Sequence, residues 1–377
     1  MILLWVGLFC CFSYCILMLL YAYGWRRSVA KVDPYRSDPR FISVIIPARN
    51  EADNIAACLQ SILENSYPSD SYEVIVVDDH SEDDTASIVD SFNDQNVKCL
   101  RLADYMAAGE KLNAFKKKAL DTGISEARGE IILTTDADCI VPKTWLRQMN
   151  DAFGQERVMV AAPVKFSDDG SVLQIFQCLD FMTLQGITVA ARELKLGNMC
   201  NGANLGFTKQ AFHTVDGYRG DTHLASGDDF LLMVKLDRMY KGRLRVLPSE
   251  AAIVTTAPQK SWKGFFRQRI RWASKSGKYQ DHVLTFILLL IYGFNACLFL
   301  LAAAGLFEPG YWQLLAGLLM LKTSAELFFL VPVARFFGSS RLLLWFPLLQ
   351  PLHIFYIVLA GFLGFWGNYE WKGRKVH

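Results

Sequence analysis

Charge is scarce in this sequence. Charged residues make up 20% of the chain against 52% hydrophobic ones, and mean hydropathy is positive. The formal net charge of +2 gives no electrostatic reason to expect a nucleic-acid polymer as partner. Metal-binding cysteine patterns are missing. The nine cysteines show no CxxC and no Cys/His spacing, and four of them (Cys10, Cys11, Cys15, Cys297) fall in long apolar runs. That argues against a disulfide framework or a zinc site and fits a reducing compartment. A glycine-rich phosphate loop is missing too. The first short apolar run ends in Pro47-Ala48-Arg49-Asn50-Glu51, neither GxGxxG nor a P-loop, which argues against a nucleotidyltransferase. No internal repeat or low-complexity segment stands out. What remains is a chain of 377 residues whose apolar residues crowd both ends of a mixed middle.

The N-terminal run Ile2 to Tyr23 carries no charge, and about 20 such residues span a bilayer as a helix. Arg26, Arg27 and Lys31 follow, which places that end in the cytoplasm. No basic stretch precedes the run and no small-x-small cleavage site follows, so it reads as an uncleaved anchor over 1–25 with a polar linker over 26–40. Near the other end, Val283 to Phe307 and Tyr311 to Ala334 are each long enough to span. Leu342 to Trp366 is interrupted by Pro347 and Pro351. The region 281–377 therefore holds two to three spans. Arg335 and Arg341 favour the cytoplasm, whereas Lys372, Arg374 and Lys375 then lie outside if the last stretch crosses, so its topology stays open. Lys322 and Glu326 sit mid-span at i,i+4, either a mutual pair or a functional site. Residues 261–280 interleave Trp262, Phe265, Phe266 and Ile270 with basic residues, the pattern of a helix lying in the membrane interface. An integral protein of the plasma (inner) membrane with its mixed middle region on the cytoplasmic side is expected.

The middle, 41–260, alternates strand and helix patterns. Strands are predicted at 41–46, stopped by Pro47, and at 73–77, 97–102, 130–135 and 158–166. Helices are predicted at 52–66, from Asp84 through Ile88, and at 111–126. This order predicts an α/β fold with a largely parallel, Rossmann-like sheet. Residues 171–196 read as a helix or helix pair. In such a sheet ligands gather at the carboxyl ends of strands. Acidic clusters stand there: Glu51, Asp78-Asp79, and Asp136-Ala137-Asp138. Asp228-Asp229 opens a later helical pattern. Carboxylate oxygens at a strand end suit Mg²⁺ or Mn²⁺. His80, His213 and His223 lack paired spacing and read as surface or core histidines.

Five motifs in order resemble the membrane-anchored family 2 glycosyltransferases, inverting enzymes with the nucleotide-sugar-binding GT-A fold. They are Pro47/Asn50/Glu51, Asp78-Asp79 with Ser81, Asp83 and Thr85, Asp136/Asp138, Asp228-Asp229, and Gln268/Arg271/Trp272. The resemblance implies a nucleotide-sugar donor, a UDP-sugar foremost, with Asp79 and the Pro47–Glu51 loop at the nucleotide. It implies a divalent ion at Asp138 and Asp136, and a base at Asp229 that makes transfer a single displacement. It places Arg271 and Arg269 at the diphosphate, with Gln268 and Trp272 at the acceptor. Asp228 stands where Glu is usual. Lys116 matches the basic residue of G-K-x-x-A-L-N, although the preceding glycine is missing and Asp121 replaces Asn. Asn201 to Asn204 are further candidates for the acceptor site. One anchor, a catalytic domain and a few spans match lipid-modifying members such as ceramide glucosyltransferases, and imply a membrane lipid acceptor. A processive polysaccharide synthase is the alternative. A non-enzymatic scaffold would be expected to have lost an acidic position, and none is lost.

Overall fold

The computed structural model describes residues 2–31, 37–92, 96–106, 113–154, 156–220, 227–274, 281–364, 369–371 and 374–376. Helix α1 (Ile2–Val29) comes first. Then β1 (Ile42–Ala48), α2 (Ile55–Leu63), β2 (Tyr72–Asp78), α3 (Thr85–Asp90), β3 (Val97–Arg101), α4 (Phe115–Glu126) and β4 (Ile131–Thr134) alternate. Next are β5 (Cys139–Ile140), α5 (Trp145–Phe153), β6 (Met159–Ala161), β7 (Val164–Phe166) and the long α6 (Val172–Leu194). They are followed by β8 (Leu205–Thr208), α7 (Lys209–Thr214), α8 (Asp228–Met239), β9 (Leu244–Val246) and β10 (Val254–Thr256). The chain continues through α9 (Trp262–Ala273), α10 (His282–Gly305), α11 (Gly310–Phe336), α12 (Phe346–Gly364) and a hairpin of β11 (Tyr369–Trp371) and β12 (Arg374–Val376). These elements form two compact units.

The first unit is Lys31–Phe166 with Asn198–Ala257. Its main sheet has the order β3-β2-β1-β4-β8-β6-β9. The first four strands are parallel. Their centre is Ile42, Val44, Ile45, Ile46, Val74 to Val77 and Ile131 to Leu133, all buried. Such unbroken apolar runs are what strands covered on both faces require. Strand β8 then reverses the direction, antiparallel to β4 and β6. A smaller sheet, β5-β10-β7, completes the unit.

Two predicted strands differ in the structure. Strand β1 runs through Pro47 to Ala48 rather than stopping at Pro47. The Ile45 carbonyl accepts from Thr135 N–H on the β4 side, and the Ala48 carbonyl accepts from Asp79 N–H on the β2 side. Alternation turns Pro47 toward β4, whose pairing has ended at Thr134. No ladder bond is lost there. The run 158–166 splits into β6 and β7, which join different sheets with Pro163 between them. Helix α2 is shorter than predicted because residues 52–54 belong to a loop.

The amino ends of the parallel strands are tied by a buried carboxylate. Glu73 accepts from Ser43 Oγ at 2.6 Å, Arg128 N at 2.7 Å and Arg128 Nε at 2.9 Å. Burial pushes this carboxyl up, but those donors outweigh it and hold Glu73 below the usual range. Gly129 fits here because a Cβ would lie 2.5 Å from Ser43 N.

The second unit is Met1–Ala30, Ser167–Gly197 and Pro258–His377. Five helices are long and apolar enough to cross a membrane: Leu3–Val29, Val172–Leu194, His282–Gly305, Gly310–Phe336 and Phe346–Gly364. The sequence reading assigned 171–196 to the catalytic stretch. In the structure it is the single helix α6, grouped with the apolar helices. Helix α1 runs to Val29, past Arg26 where the predicted linker was to begin. Its Arg27 pairs with Glu193 of α6 at 2.8 Å. In α12 the early Pro347 falls in the first turn, where a missing N–H costs nothing. The apolar face of α9 packs on protein: Phe265 is fully buried and meets the Phe176 ring at 5.4 Å and the Tyr356 ring at 5.4 Å.

Lys322 and Glu326 are a mutual pair inside this unit. Lys322 Nζ donates to Glu326 Oε1 at 2.6 Å and to Gln350 Oε1 at 2.8 Å, and Gln350 Nε2 donates to Glu326 Oε2 at 2.6 Å. The Tyr14 hydroxyl also donates to Glu326. Three helices are thereby cross-linked. Breaking one partner strands a buried charge. Lys322→Met is therefore expected to cost about 3 kcal/mol, while Lys322→Met with Glu326→Met recovers most of that loss. Thermal unfolding of both variants in detergent checks this. Equal loss in both would show that the pair is not what the charges depend on.

Candidate active site

The carboxyl ends of β1 and β2 carry two loops that are laced together. Asn50 takes a left-handed conformation, φ 52°, which Asn tolerates better than most residues. Its N–H donates to Ser81 Oγ at 3.0 Å, and its Oδ1 accepts from Glu82 N at 2.8 Å. Glu51 N donates to Thr85 Oγ1 at 2.7 Å and Ala52 N to Asp83 Oδ2 at 3.1 Å. The Pro47-to-Glu51 and Asp78-to-Thr85 motifs are thus one hydrogen-bonded structure. Asn50 was expected to line a nucleotide pocket. Its carboxamide oxygen is engaged in building that structure.

Asp79 lies behind these loops, 3% exposed. Its N–H reaches back to Ala48, and its Oδ1 is 3.0 Å from His80 Nδ1. Burial pushes the carboxyl up, opposed by His80 and Arg49. His80 was set aside as a lone histidine. Its contact depends on φ 54° at His80, a turn that residue spacing does not announce.

Next to β1, strand β4 delivers Asp136 and Asp138. Lys116, in the first turn of α4, donates to Asp136 Oδ1 at 2.7 Å. Burial alone would lower the ammonium. Asp136, Asp228 and Asp229 outweigh it and hold Lys116 well above its ordinary value. Burial, then Asp136 and Glu51, push Asp138 up to about 6. The buried Cys58 and Cys139 thiols back this strand end. Cys58 Sγ donates to the Asp136 carbonyl at 3.6 Å, and Cys139 Sγ lies 3.7 Å from Asp138 Oδ1.

Asp228 and Asp229 open α8 behind Gly227, whose φ of 88° makes the entry turn. Carboxylates are favoured at a helix N-terminus. Asp229 Oδ1 accepts from Phe230 N at 2.8 Å and Oδ2 from Gly202 N at 3.1 Å. Asp228 is buried. The structure therefore gathers Glu51, Lys116, Asp136, Asp138, Asp228 and Asp229 within electrostatic reach of one another in linked pairs. Gly202 escaped the sequence reading as an individual contact.

The remaining predicted residues lie on α9, in the second unit. Arg269 is buried. It pairs with Asp180 of α6 through Nε at 2.8 Å and Nη2 at 2.6 Å, and its guanidinium stacks on the rings of Phe265 at 4.9 Å and Trp272 at 4.2 Å. Gln268 Oε1 accepts from Arg269 at 2.9 Å. Tyr356 of α12 donates to the other Asp180 oxygen. Arg269, expected at a diphosphate, instead ties α9 to its own unit. Trp272 is half-buried, its ring 6.1 Å from Phe181. His213 is exposed. His223 and residues 275–280, the end of the predicted interfacial helix, fall outside the described residues.

Two family models match the chain. "Glycosyl transferase family 2" matches residues 43–214, and "Glycosyl transferase family group 2" matches residues 131–366. The chain belongs to the family 2 glycosyltransferases. This transferase is 29% identical over 192 residues to glycosyltransferase AglE of Haloferax volcanii, covering 50% of this chain and 59% of that protein. It is 29% identical over 246 residues to the probable glycosyltransferase YdaM of Bacillus subtilis, covering 62% and 54%. It is 28% identical over 252 residues to the beta-monoglucosyldiacylglycerol synthase of Synechocystis, covering 64% and 48%. The chain spans about half the length of the curated relatives it matches. In structure it is similar to the mannosyltransferase PcManGT from Pyrobaculum calidifontis, solved in complex with GDP-Man and Mn²⁺. That likeness has a TM-score of 0.61 and 22% identity, and covers 93% of this chain and 99% of that one. It shows the GT-A fold expected from the motifs.

The donor set of the transferase can be tested against a divalent ion. Among the described residues, no group of three or more His, Cys, Asp or Glu could hold a metal. Among those residues Asp136 and Asp138 make a two-carboxylate site. That fits Mg²⁺ or Mn²⁺, which is commonly held by one or two carboxylates together with substrate phosphates and water. The rise at Asp138 comes first from burial and then from the negative charge of Asp136 and Glu51, and a bound cation would oppose both.

The laced loops carry their own prediction. Asn50→Ala removes the acceptor of Glu82 N–H, so amide exchange of Glu82 is expected to quicken about tenfold, with β1 and β2 unchanged. Hydrogen–deuterium exchange measures this. Unaltered exchange at Glu82 would refute the role given to Asn50.

Proposed function

We propose that this protein transfers a sugar from a nucleoside-diphosphate donor to a lipid hydroxyl at a membrane surface, by single displacement with inversion. The observation carrying this reading is the clustering of Asp136, Asp228 and Asp229 around Lys116, with Asp138 beside Asp136. Lys31–Phe166 and Asn198–Ala257 form the proposed catalytic unit, and the apolar helices the membrane unit. Arg26 and Arg27 at the end of α1 support a cytoplasmic face in the plasma membrane.

Roles follow from chemistry. Asp79 and the laced loops hold the nucleotide. Asp136 and Asp138 hold Mg²⁺ or Mn²⁺. A bound ion would supply positive charge to the departing diphosphate. Lys116 adds a fixed positive charge beside the same group. Asp229 takes the proton of the acceptor hydroxyl as its oxygen attacks the anomeric carbon and the bond to the diphosphate breaks. A single carboxylate acting on the attacking oxygen leaves the anomeric centre inverted. Asp228 supports the charge of its neighbour. The assignments of Gln268, Arg271 and Trp272 to acceptor and diphosphate rest on the motif alone. PcManGT supports a nucleotide-sugar donor with Mn²⁺, and the diacylglycerol-lipid synthase, with the five apolar helices, supports a lipid acceptor.

The test uses the full chain with Mn²⁺, labelled UDP-glucose, UDP-N-acetylglucosamine or GDP-mannose, and phosphatidylglycerol vesicles carrying diacylglycerol. A singly glycosylated lipid is expected. A polymer ladder would instead favour the processive synthase. Asp229→Asn is expected to lower turnover about 10²–10⁴-fold while sparing nucleotide binding. Asp138→Asn is expected to abolish Mn²⁺-dependent binding of the nucleoside diphosphate by calorimetry. Retained turnover in the first variant, or retained Mn²⁺ dependence in the second, would overturn the corresponding role.

A further inference from the structure

Strand β8 runs antiparallel to β4 with Leu205 opposite Thr134. The residues just before β8 therefore arrive at the carboxyl end of β4, where Asp136 begins. They form the tight turn Gly202–Asn204. That turn is fastened on several sides. Asn201 Oδ1 accepts from Ala203 N at 3.0 Å. Asn204 is fully buried. Its Nδ2 donates to the carbonyls of Pro163 and Ala252, each at 2.8 Å, and its Oδ1 accepts from Trp145 Nε1 at 2.9 Å. At the head of the turn the buried Thr134 hydroxyl donates to the Gly202 carbonyl at 2.7 Å. The Gly202 N–H in turn donates to Asp229 Oδ2 at 3.1 Å. A Cβ built on Gly202 would sit 3.6 Å from both Asp228 Oδ2 and Asp229 Cβ. The backbone of Gly202 thus grips the carboxylate, and no Cβ of residue 202 stands against its flank.

We infer that Thr134 and Gly202 are positioning residues for the acceptor step. Thr134 fixes the Gly202 peptide, that peptide orients the Asp229 carboxylate, and the bare Gly202 keeps the flank through which an acceptor hydroxyl approaches. This rests on the reading of Asp229 as the base. Neither residue touches the reacting atoms. Their effect is on turnover and acceptor use rather than on donor binding, because a carboxylate displaced by a fraction of an ångström still carries its charge but meets the hydroxyl at the wrong angle.

The experiment compares Thr134→Val, Thr134→Ser, Gly202→Ala and Asp229→Asn in the full chain. It uses whichever of the three nucleotide sugars the unaltered protein turns over on diacylglycerol vesicles. Thr134→Val keeps the shape and loses the hydroxyl, so kcat is expected to fall about 10–100-fold with the donor KM held within about twofold. Thr134→Ser restores the donor and is expected to return to within about threefold of the original kcat. Gly202→Ala is expected to raise the KM for the lipid about tenfold or more, with donor binding unchanged by calorimetry. An inactive Asp229→Asn beside a fully active Thr134→Val would overturn this inference and leave the base in place. An active Asp229→Asn would remove both. Loss of donor binding in Thr134→Val, or no rescue by Ser, would make Thr134 a general fold residue and also overturn the inference.

Discussion

Negative charge cannot be crowded into a half-buried cleft without positive charge to answer it. In this protein Asp136, Asp228 and Asp229 bear on the Lys116 ammonium, and burial, then Asp136 and Glu51, push the Asp138 carboxyl up to about 6. Much of the sheet unit can be understood as the means of enforcing that crowding. Parallel strands deliver their carboxyl ends to one edge. With the order β2-β1-β4, the loops carrying Asp79, Glu51 and Asp136 become neighbours without any long excursion. Under the proposed function, a divalent ion and the donor phosphates it accompanies would answer that charge, rather than each acid being neutralised in turn.

The same crowding explains why the scaffold is firm where it is. At the amino ends of the strands, Glu73 is fully answered by Ser43 and Arg128, a closed arrangement that asks for no ligand. At the carboxyl ends, Asn50, Ser81, Asp83 and Thr85 spend their hydrogen bonds on lacing two loops together. Their work is to hold the acidic groups still. Residues that build and residues that bind are therefore interleaved in one motif, and a motif match by itself cannot separate them.

The sequence made the parallel core legible because buried strands are apolar throughout and the acidic ends are abrupt. It made five acidic or basic motifs legible as a series. The failures share a cause. Pro47 was read as a stop because the residue type alone does not say which neighbour its missing N–H would face. The three-residue strands β6 and β7 are too short to show a period, so a run broken by Pro163 passed as one strand. Helix α6 is helical in pattern whether it serves a catalytic fold or a bundle of apolar helices, and composition did not decide between them. Arg269 was assigned to a diphosphate because basic residues in that motif suggest one. Its partner, Asp180, lies 89 positions away in a segment with no charge pattern to announce it. Gly202 was included only within the candidate stretch Asn201 to Asn204, since what matters there, a peptide N–H and an absent Cβ, is not announced by residue type.

The charges of the helical unit can now be weighed against those of the sheet unit. An ionisable group among apolar helices is by default a functional candidate, and Lys322, Glu326, Asp180 and Arg269 all qualify. Yet Lys322 is matched by Glu326, with Gln350 and Tyr14 completing its shell, and Arg269 is matched by Asp180, with Tyr356 beside it. Each pair is neutral as a whole. Arg269–Asp180 joins α9 to α6, and Lys322–Glu326, both on α11, is tied to α12 by Gln350 and to α1 by Tyr14. A pathway for ions or a seat for a charged headgroup would need charge left over for the ligand, and these pairs keep theirs between themselves. Their physical role is to fix helix against helix where apolar contacts alone discriminate poorly between registers. Around Lys116 the opposite holds, with three carboxylates against one ammonium. Chemistry that needs a cation and a charged donor calls for charge that remains to be answered, which supports the proposed site at the strand ends.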